Sequence, residues 1–307
     1  QTEKKNAKIK GLSFQSAWEE FDAFYISSEK KPKTAKEYRR SAKVDILPRF
    51  KTTPLKDVTK SDIAALINNI KKRAPVMANR TLSVLSSFYS WCLGQDYVEK
   101  NLALGISKVK ENARNRVLSL EELRAIYRAT DKLSDGNELF VKLLLLTGQR
   151  EGVIARLEHD EVKDNYLEIS AERNKSGEQI KVFLSTQSKE LLSKLGTNQG
   201  RYVVSTTDGI KPISGFSKLK KKLDALTSIE EHWTFHDIRR GITTYLEENG
   251  LDRIYTSRIL NHKDTSTTGI YARPEHRQHF EWVFERWSQV LTGNDGLSGE
   301  NILVFAR

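Results

Sequence analysis

Six side chains between residues 150 and 271 have types that suit chemistry on a phosphodiester. Two arginines can bind the negative charge that develops on non-bridging phosphate oxygens, because a guanidinium donates two parallel hydrogen bonds. A tyrosine hydroxyl can attack phosphorus when a neighbouring group accepts its proton. The set therefore predicts transfer of a phosphodiester to a phenol. Its members are Arg150, Lys175, His236, Arg239, His262 and Tyr271.

The sequence around these residues indicates how they are presented. Arg150 follows the apolar run Leu143–Leu146 and a glycine that permits close approach of the backbone. His236 and Arg239 are three positions apart, and therefore lie on one face of a helix. Taken singly, such an arginine more often caps a helix, and a tyrosine such as Tyr271 more often packs. The ordered combination favours a site.

The charge balance makes a polyanion the expected large partner. Lys and Arg number 51 against 40 Asp and Glu, which gives a formal net charge of +11. Neutralising phosphates with basic side chains releases counterions and so favours binding. Charge alone does not separate DNA, RNA and acidic lipid.

Several classes of site are excluded by composition. The single cysteine, Cys92, rules out an intramolecular disulfide and a cysteine-ligated zinc site, and its apolar neighbours predict a core position. No compact set of carboxylates has metal-ligand spacing, so we expect no metal and no cofactor. No apolar stretch approaches the ~18 residues of a membrane span, so we expect an intracellular protein without membrane contact. The sequence opens at Gln1 rather than Met, so the question whether another domain precedes it stays open.

Residues 11–107 are predicted to form a small all-helical domain that follows a polar linker or arm at residues 1–10. Apolar residues recur there at three- and four-residue steps, and the last helix is expected to stop at Gly94. Capping residues predict helix starts throughout the chain, at Ser13, Thr34–Glu37, Thr59–Asp62 and Ser119–Glu122.

Basic residues cluster in this first domain. A run of charge is most often a solvated face, but the overall charge makes a DNA-facing surface an equal alternative. The candidates for DNA contact are Lys31, Lys33, Lys36, Arg39, Arg40, Lys43, Lys71, Lys72 and Arg80.

A polar stretch at residues 108–117 predicts an interdomain linker, and residues 118–291 predict a second domain. Two alternating segments, Tyr166–Ile169 and Ile180–Leu184, predict a β-hairpin with Lys175 near its tip. Helical patterns surround the hairpin. The expected fold is mainly α with a small β-sheet, in which a helical domain precedes a mixed α+β domain.

From about Leu12 to Trp287 the chain resembles the tyrosine recombinases, particularly the phage and genomic-island integrases. The resemblance implies a core-DNA-binding domain followed by a catalytic domain. It gives Arg150 the place of the family's first arginine and Lys175 that of the hairpin lysine. His236 and Arg239 match its H-x-x-R motif, His262 takes a position that is His or Trp in relatives, and Tyr271 is the nucleophile.

The resemblance also implies an activity and its partners. Tyr271 would form a 3′-phosphotyrosyl link to double-stranded DNA, with His236 as the hypothetical proton acceptor and Lys175 as the general acid. The bond energy is kept in the link, so rejoining needs no ATP. Recombination of two duplexes implies a homotetramer, in the cytoplasm at the nucleoid of a bacterium, with DNA-bending accessory proteins as further candidates.

Two positions depart from the family's pattern. The acidic residue often found three positions after the first arginine is Val153 here, which changes how Arg150 is held. The usual glycine before the third-motif histidine is Asn261, and asparagine also tolerates left-handed backbone.

Other functions stay open at this point. A type IB topoisomerase uses a similar set of residues, a non-catalytic DNA-binding regulator can retain the fold, and a metal-dependent nuclease is a third alternative. The tail, residues 292–307, carries an apolar run. Either it packs on a neighbouring subunit, or it folds back on its own domain or is disordered.

Overall fold

The computed structural model describes residues 11–111, 115–174, 177–194, 200–260 and 274–293. The chain divides into two compact units, Gln1–Arg114 and Asn115–Arg307. Helices dominate both, and one two-stranded sheet occurs in the described part, so the predicted fold class is confirmed. The predicted arm at residues 1–10 and the tail beyond residue 293 lie outside the described residues.

The first unit is a helical bundle. Its helices are α1 (Phe14–Phe21), α2 (Pro32–Ser41), α3 (Lys60–Arg73) and α4 (Pro75–Gly94). Helix α1 runs on through a π-helical turn at Asp22–Ile26 to Glu29, and α2 runs on through a π-helical turn at Ala42–Ile46 to Phe50.

Aromatic side chains form the core of this unit. Phe14, Phe21 and Phe88 are fully buried, and the ring centroids of Phe14 and Phe88 lie 4.8 Å apart. Cys92 is buried in the same core, as predicted, and burial raises the pKa of its thiol. The buried apolar residues of each helix face this core, which explains why they recur at three- and four-residue steps in the sequence.

Three of the predicted helix starts are confirmed and one is wrong. Ser13 accepts a hydrogen bond from the Ser16 amide, and capping boxes form at Thr59 and Ser119. The start expected at Thr34 lies inside α2, which begins at Pro32. Proline favours the first helical position because its φ is preset and its missing N–H has no intrahelical partner there.

Each π-helical turn carries an aspartate that binds an arginine from another helix. Asp22 accepts hydrogen bonds from Arg39 Nε at 2.9 Å and from Arg39 Nη2 at 2.6 Å. Asp45, which is 8% exposed, pairs with Arg73. These two ion pairs join segments of the bundle that are distant in sequence.

The second unit contains the hairpin and the remaining helices. They are α5 (Leu120–Ala129), α6 (Asp135–Thr147), α7 (Glu151–Ile154), β1 (Tyr166–Ile169), β2 (Ile180–Phe183), α8 (Thr186–Ser193), α9 (Phe216–Thr227), α10 (Phe235–Glu248), α11 (Arg253–Ile259) and α12 (Pro274–Thr292). The strands pair antiparallel, with Tyr166 opposite Phe183 and Ile169 opposite Ile180.

Helix α6 lies in the core of this unit, and a hydrogen bond joins α12 to it. Leu143, Leu144, Leu145 and Leu146 are at most 1% exposed. The indole nitrogen of Trp287 in α12 donates to the Leu145 carbonyl at 2.8 Å, and Arg124 Nη2 in α5 donates to the Val290 carbonyl at 2.7 Å. The backbone that precedes and follows the candidate site is therefore attached to one core.

Two kinds of feature are absent from the described residues. No helix among them combines the length and the apolar character that crossing a bilayer requires. No group of three or more His, Cys, Asp or Glu side chains there is arranged to hold a metal ion.

Candidate active site

Arg150 is presented by a sharp turn at the end of α6. Gly148 has φ +62°, a left-handed conformation that ends the helix, and Arg150 is the N-cap of α7. A Cβ at Gly148 would lie 2.7 Å from Leu260 Cδ2, so this turn packs closely against the end of α11.

His236 and Arg239 lie one turn apart on α10, as their spacing predicts. The helix begins with a capping box in which Asp237 accepts a hydrogen bond from the Thr234 amide at 2.8 Å. Asp237 is 2% exposed. The cap fixes the first turn of α10 and therefore the position of His236.

Arg239 is a buried arginine, only 3% exposed, that joins two distant segments. Its Nη1 donates to the Gly148 carbonyl at 2.8 Å, and its Nη2 donates to the Leu260 carbonyl. A guanidinium carries five N–H donors, so donors remain for a ligand. Arg239 thus connects the end of α6 with the end of α11.

Gln149 makes a second connection between the same two segments, and its sequence context did not predict this. Its side-chain amide donates to the Thr147 carbonyl and to the Ile259 carbonyl, both at 3.1 Å. Gln149 is 3% exposed. Gln149 lies outside any helix or strand, so no periodic pattern predicts its burial. The sequence signal is its position between Gly148 and Arg150.

Arg150, His236 and Arg239 share one neighbourhood, because Arg239 bonds to Gly148, two residues before Arg150, and lies one turn from His236. Burial, and then the charge of Arg150, lower the pKa of Arg239 to about 9. The guanidinium stays protonated at neutral pH, but two cations held together favour an anionic ligand between them. The structure therefore brings together three of the six predicted residues.

The surroundings of His236 favour the neutral form of its imidazole, because they lower its pKa. The residue is exposed by surface area, yet partial burial of the imidazole is the largest cause of its lowered pKa. The positive charges of Arg239, Arg240 and Arg150 lower the pKa further, and Asp237 opposes them. A neutral imidazole can accept a proton.

The base of the hairpin turn is anchored beside α7. Arg173 forms an ion pair with Glu161, and its Nη2 lies 3.4 Å from the Val153 carbonyl. Asn174 is fully buried and donates to the Glu178 carbonyl at 2.8 Å. Val153, the departure from the family's pattern, thus contributes its backbone oxygen to the support of the turn.

The other three predicted residues, Lys175, His262 and Tyr271, lie outside the described residues. The described chain stops at Leu260 and resumes at Pro274, the first residue of α12. The catalytic roles of all six residues stay predictions.

The nine basic residues predicted for DNA contact are exposed in the first unit. Arg39 is held by Asp22 and donates to Ser27 Oγ at 2.9 Å, so the fold itself uses this side chain. Arg80 lies 3.9 Å from a Glu111 carboxylate oxygen. The candidates therefore differ in how far each is committed to contacts within the protein.

Comparison with known protein families gives matches along most of the chain. The model described as "Phage integrase family" matches residues 116–278, which is more than half of the chain, and the model described as "Phage integrase central domain" matches residues 14–108.

Individual relatives are integrases and recombinases. The integrase of Escherichia phage HK022 is 24% identical over 261 residues, which cover 81% of this chain and 72% of that protein. The integrase of Escherichia phage lambda is 24% identical over 238 residues, covering 73% of this chain and 66% of that protein. Tyrosine recombinase XerD of Staphylococcus haemolyticus is 26% identical over 212 residues, covering 65% of this chain and 72% of that protein.

Solved structures share the fold. A lambda integrase tetramer bound to a Holliday junction superposes with a TM-score of 0.71 at 22% identity, covering 89% of this chain and 84% of that one. The Tn1549 transposon integrase in complex with transposon right end DNA gives a TM-score of 0.60 at 15% identity, covering 82% of this chain and 92% of that one.

Proposed function

This chain belongs to the phage integrase family, and we propose that it cleaves and rejoins double-stranded DNA at specific sites through Tyr271. Its relatives are integrases and tyrosine recombinases, so the topoisomerase and regulator alternatives are not favoured. The observation that carries the proposal is the junction of α6, α10 and α11, where Arg239, one turn from His236, bonds to the backbone beside Arg150. The boundaries 11–107 and 118–291 for the core-binding and catalytic domains are part of it.

The two arginines would bind the scissile phosphate. Arg150 and Arg239 would supply positive charge where the non-bridging oxygens gain negative charge during attack. Arg239 is held by two backbone carbonyls. A positioned donor of this kind contributes about 3 kcal/mol to the transition state, because little reorganisation is needed. His262 would add a hydrogen bond to a phosphate oxygen.

Proton transfers would complete the exchange. The Tyr271 phenolic oxygen forms a bond to phosphorus while the bond from phosphorus to the 5′ oxygen breaks. His236 accepts the phenol proton, and Lys175 donates a proton to the departing oxygen. In the second half the 5′-hydroxyl of another strand attacks the phosphotyrosine, and the same groups act in reverse. We assign no step to a metal or to ATP.

Strand exchange between two duplexes would need four such sites, so we propose a homotetramer on DNA. The lambda integrase structure is a tetramer bound to a Holliday junction, which supports this assembly for a protein of the same fold. Accessory proteins that bend DNA, action at the bacterial nucleoid, and exchange of residues 292–307 between subunits belong to the same proposal.

A covalent adduct provides the test. A binding site is first selected from a random duplex pool with the Tyr271→Phe variant, and is then made as a nicked suicide substrate that traps the intermediate. We expect the wild-type protein to form a DNA adduct that resists denaturant and EDTA, and peptide mapping to place it on Tyr271. An adduct on another residue, or one that Tyr271→Phe still forms, would overturn the proposal.

A further inference from the structure

Two buried side chains bridge the same pair of chain segments in parallel. Gln149 connects the carbonyls of Thr147 and Ile259, while Arg239 connects those of Gly148 and Leu260. Each bridge therefore ties one of two consecutive residues at the end of α6 to one of two consecutive residues at the end of α11.

The bridges satisfy groups that the helices leave unpaired. The last carbonyls of a helix have no partner within it, and in a dry interior such a group is costly unless a donor reaches it. Ile259 is the final residue of α11, and Leu260 follows it fully buried. Gln149, in the turn after α6, and Arg239, on α10, are the donors that supply these hydrogen bonds.

The packing around the bridges leaves little room for adjustment. The left-handed turn at Gly148 lies against the Leu260 side chain, and a single added Cβ would come within 2.7 Å of it. Gln149 is also the residue directly before Arg150. The position of Arg150 is thus coupled to the end of α11.

We infer that Gln149 is a positioning residue for the reaction, which deepens the proposed function and rests on it. The described chain leaves α11 at Leu260, eleven residues before Tyr271 (271 − 260 = 11). Gln149 fixes this point of departure relative to Arg150 and so sets the origin of the segment that carries the nucleophile. Because Gln149 acts through the position of these segments, we expect it to change the rate constant of cleavage and not the affinity for DNA.

Single-turnover cleavage of the suicide substrate tests this role. Gln149→Met approximately keeps the volume and removes the hydrogen bonds to the Thr147 and Ile259 carbonyls. We expect the cleavage rate constant at saturating DNA to fall about tenfold, the effect of removing one to two hydrogen bonds. The fraction of protein that reacts and the Kd for DNA should stay within twofold of wild type. Gln149→Asn, which keeps the amide on a shorter stem, should give a smaller loss and decides the question if Gln149→Met does not fold.

Gln187→Met is the matched control. Gln187 Oε1 accepts a hydrogen bond from Ser288 Oγ at 2.6 Å, which joins α8 to α12 in the same unit. Its loss should leave the rate constant within twofold. The inference is overturned if Gln149→Met keeps the wild-type rate constant, if only the reactive fraction falls, or if Gln187→Met is equally slow. Absence of an adduct with the wild-type protein would instead overturn the proposed function, and this inference with it.

Discussion

The guanidinium of Arg239 donates a 2.8 Å hydrogen bond to the carbonyl of Gly148, across 91 residues of sequence. The turn that presents Arg150 and the helix that carries His236 are therefore held together by an arginine of the candidate site itself. Structure and proposed chemistry depend on the same side chain, and variants near this contact should change both.

Replacement of Gly148 by alanine should destabilise the protein and slow cleavage. A non-glycine residue with left-handed backbone costs about 1–2 kcal/mol, and here the new methyl group would also meet Leu260. Gly215→Ala is the control, because Gly215 has φ +79° with nothing within 4 Å of the added Cβ. Thermal unfolding should show a larger decrease in Tm for Gly148→Ala than for Gly215→Ala. Equal decreases would mean that the contact with Leu260 does not contribute to the destabilisation.

The stability of the free protein should depend on pH through His236. Its pKa is lowered in the folded state, so the unfolded chain takes up a proton at a higher pH than the folded protein does. Stability from this group is complete above the ordinary histidine pKa of 6.5 and is lost as the pH falls below it. Thermal unfolding of wild type and His236→Gln between pH 5.5 and 7.5 measures the difference. Parallel curves for the two proteins would contradict the assignment.

Arg173 should affect the step that needs a proton donor. It holds the base of the hairpin turn through Glu161 and Val153, so Arg173→Ala should displace Lys175 and slow cleavage of an ordinary suicide substrate about tenfold. A substrate with sulfur at the bridging 5′ position has a leaving group that needs no proton, and should be cleaved at nearly the wild-type rate.

Lys181→Ala is the control for the hairpin. Lys181 is half exposed and lies 3.4 Å from Glu168 on the opposite strand, so its loss should change neither rate appreciably. If Arg173→Ala slows both substrates equally, the arginine supports the domain in general and not the proton donor.

Exposed lysines and Arg39 should separate into two groups by their effects. Lys36→Gln combined with Lys43→Gln should weaken DNA binding and reduce the salt dependence of log K by about 0.9 for each phosphate that the protein no longer neutralises. Arg39→Gln should instead lower Tm, and Asp22→Asn should reproduce that decrease because it removes the same ion pair. DNA titrations at several salt concentrations, with Tm measured in parallel, show whether each basic residue contributes to DNA binding or to stability. A salt slope unchanged in the double variant would remove these lysines from the DNA surface.

Local signals in the sequence predicted much of the fold. Ser119 and Thr59 lie beside the residues that complete their capping boxes, and the leucine run of α6 is apolar enough to define a core helix, so short stretches sufficed. The start of α2 was misplaced because Pro32 and Thr34 give competing local signals, and proline prevailed. The π-helical turns were not predicted, since a single wide turn hardly changes a pattern read at helical spacing.

The candidate site was accessible from the sequence only in part. Residue types and motif order identified Arg150, His236 and Arg239, because their chemistry is distinctive. The contacts that hold them were not predictable: Gln149 reaches Ile259 across 110 residues, and Arg239 reaches Gly148 across 91. Such partners are set by tertiary packing, on which local periodicity carries no information.

The inaccessibility of Cys92 has a practical consequence for following the protein at work. The chain has no other cysteine, and the raised pKa of this one leaves almost no thiolate to react with a maleimide. A single cysteine introduced on the surface of either unit would then carry a fluorophore without any change to the native thiol. A dye placed in this way would report, through its fluorescence anisotropy, the binding of a duplex by the labelled protein.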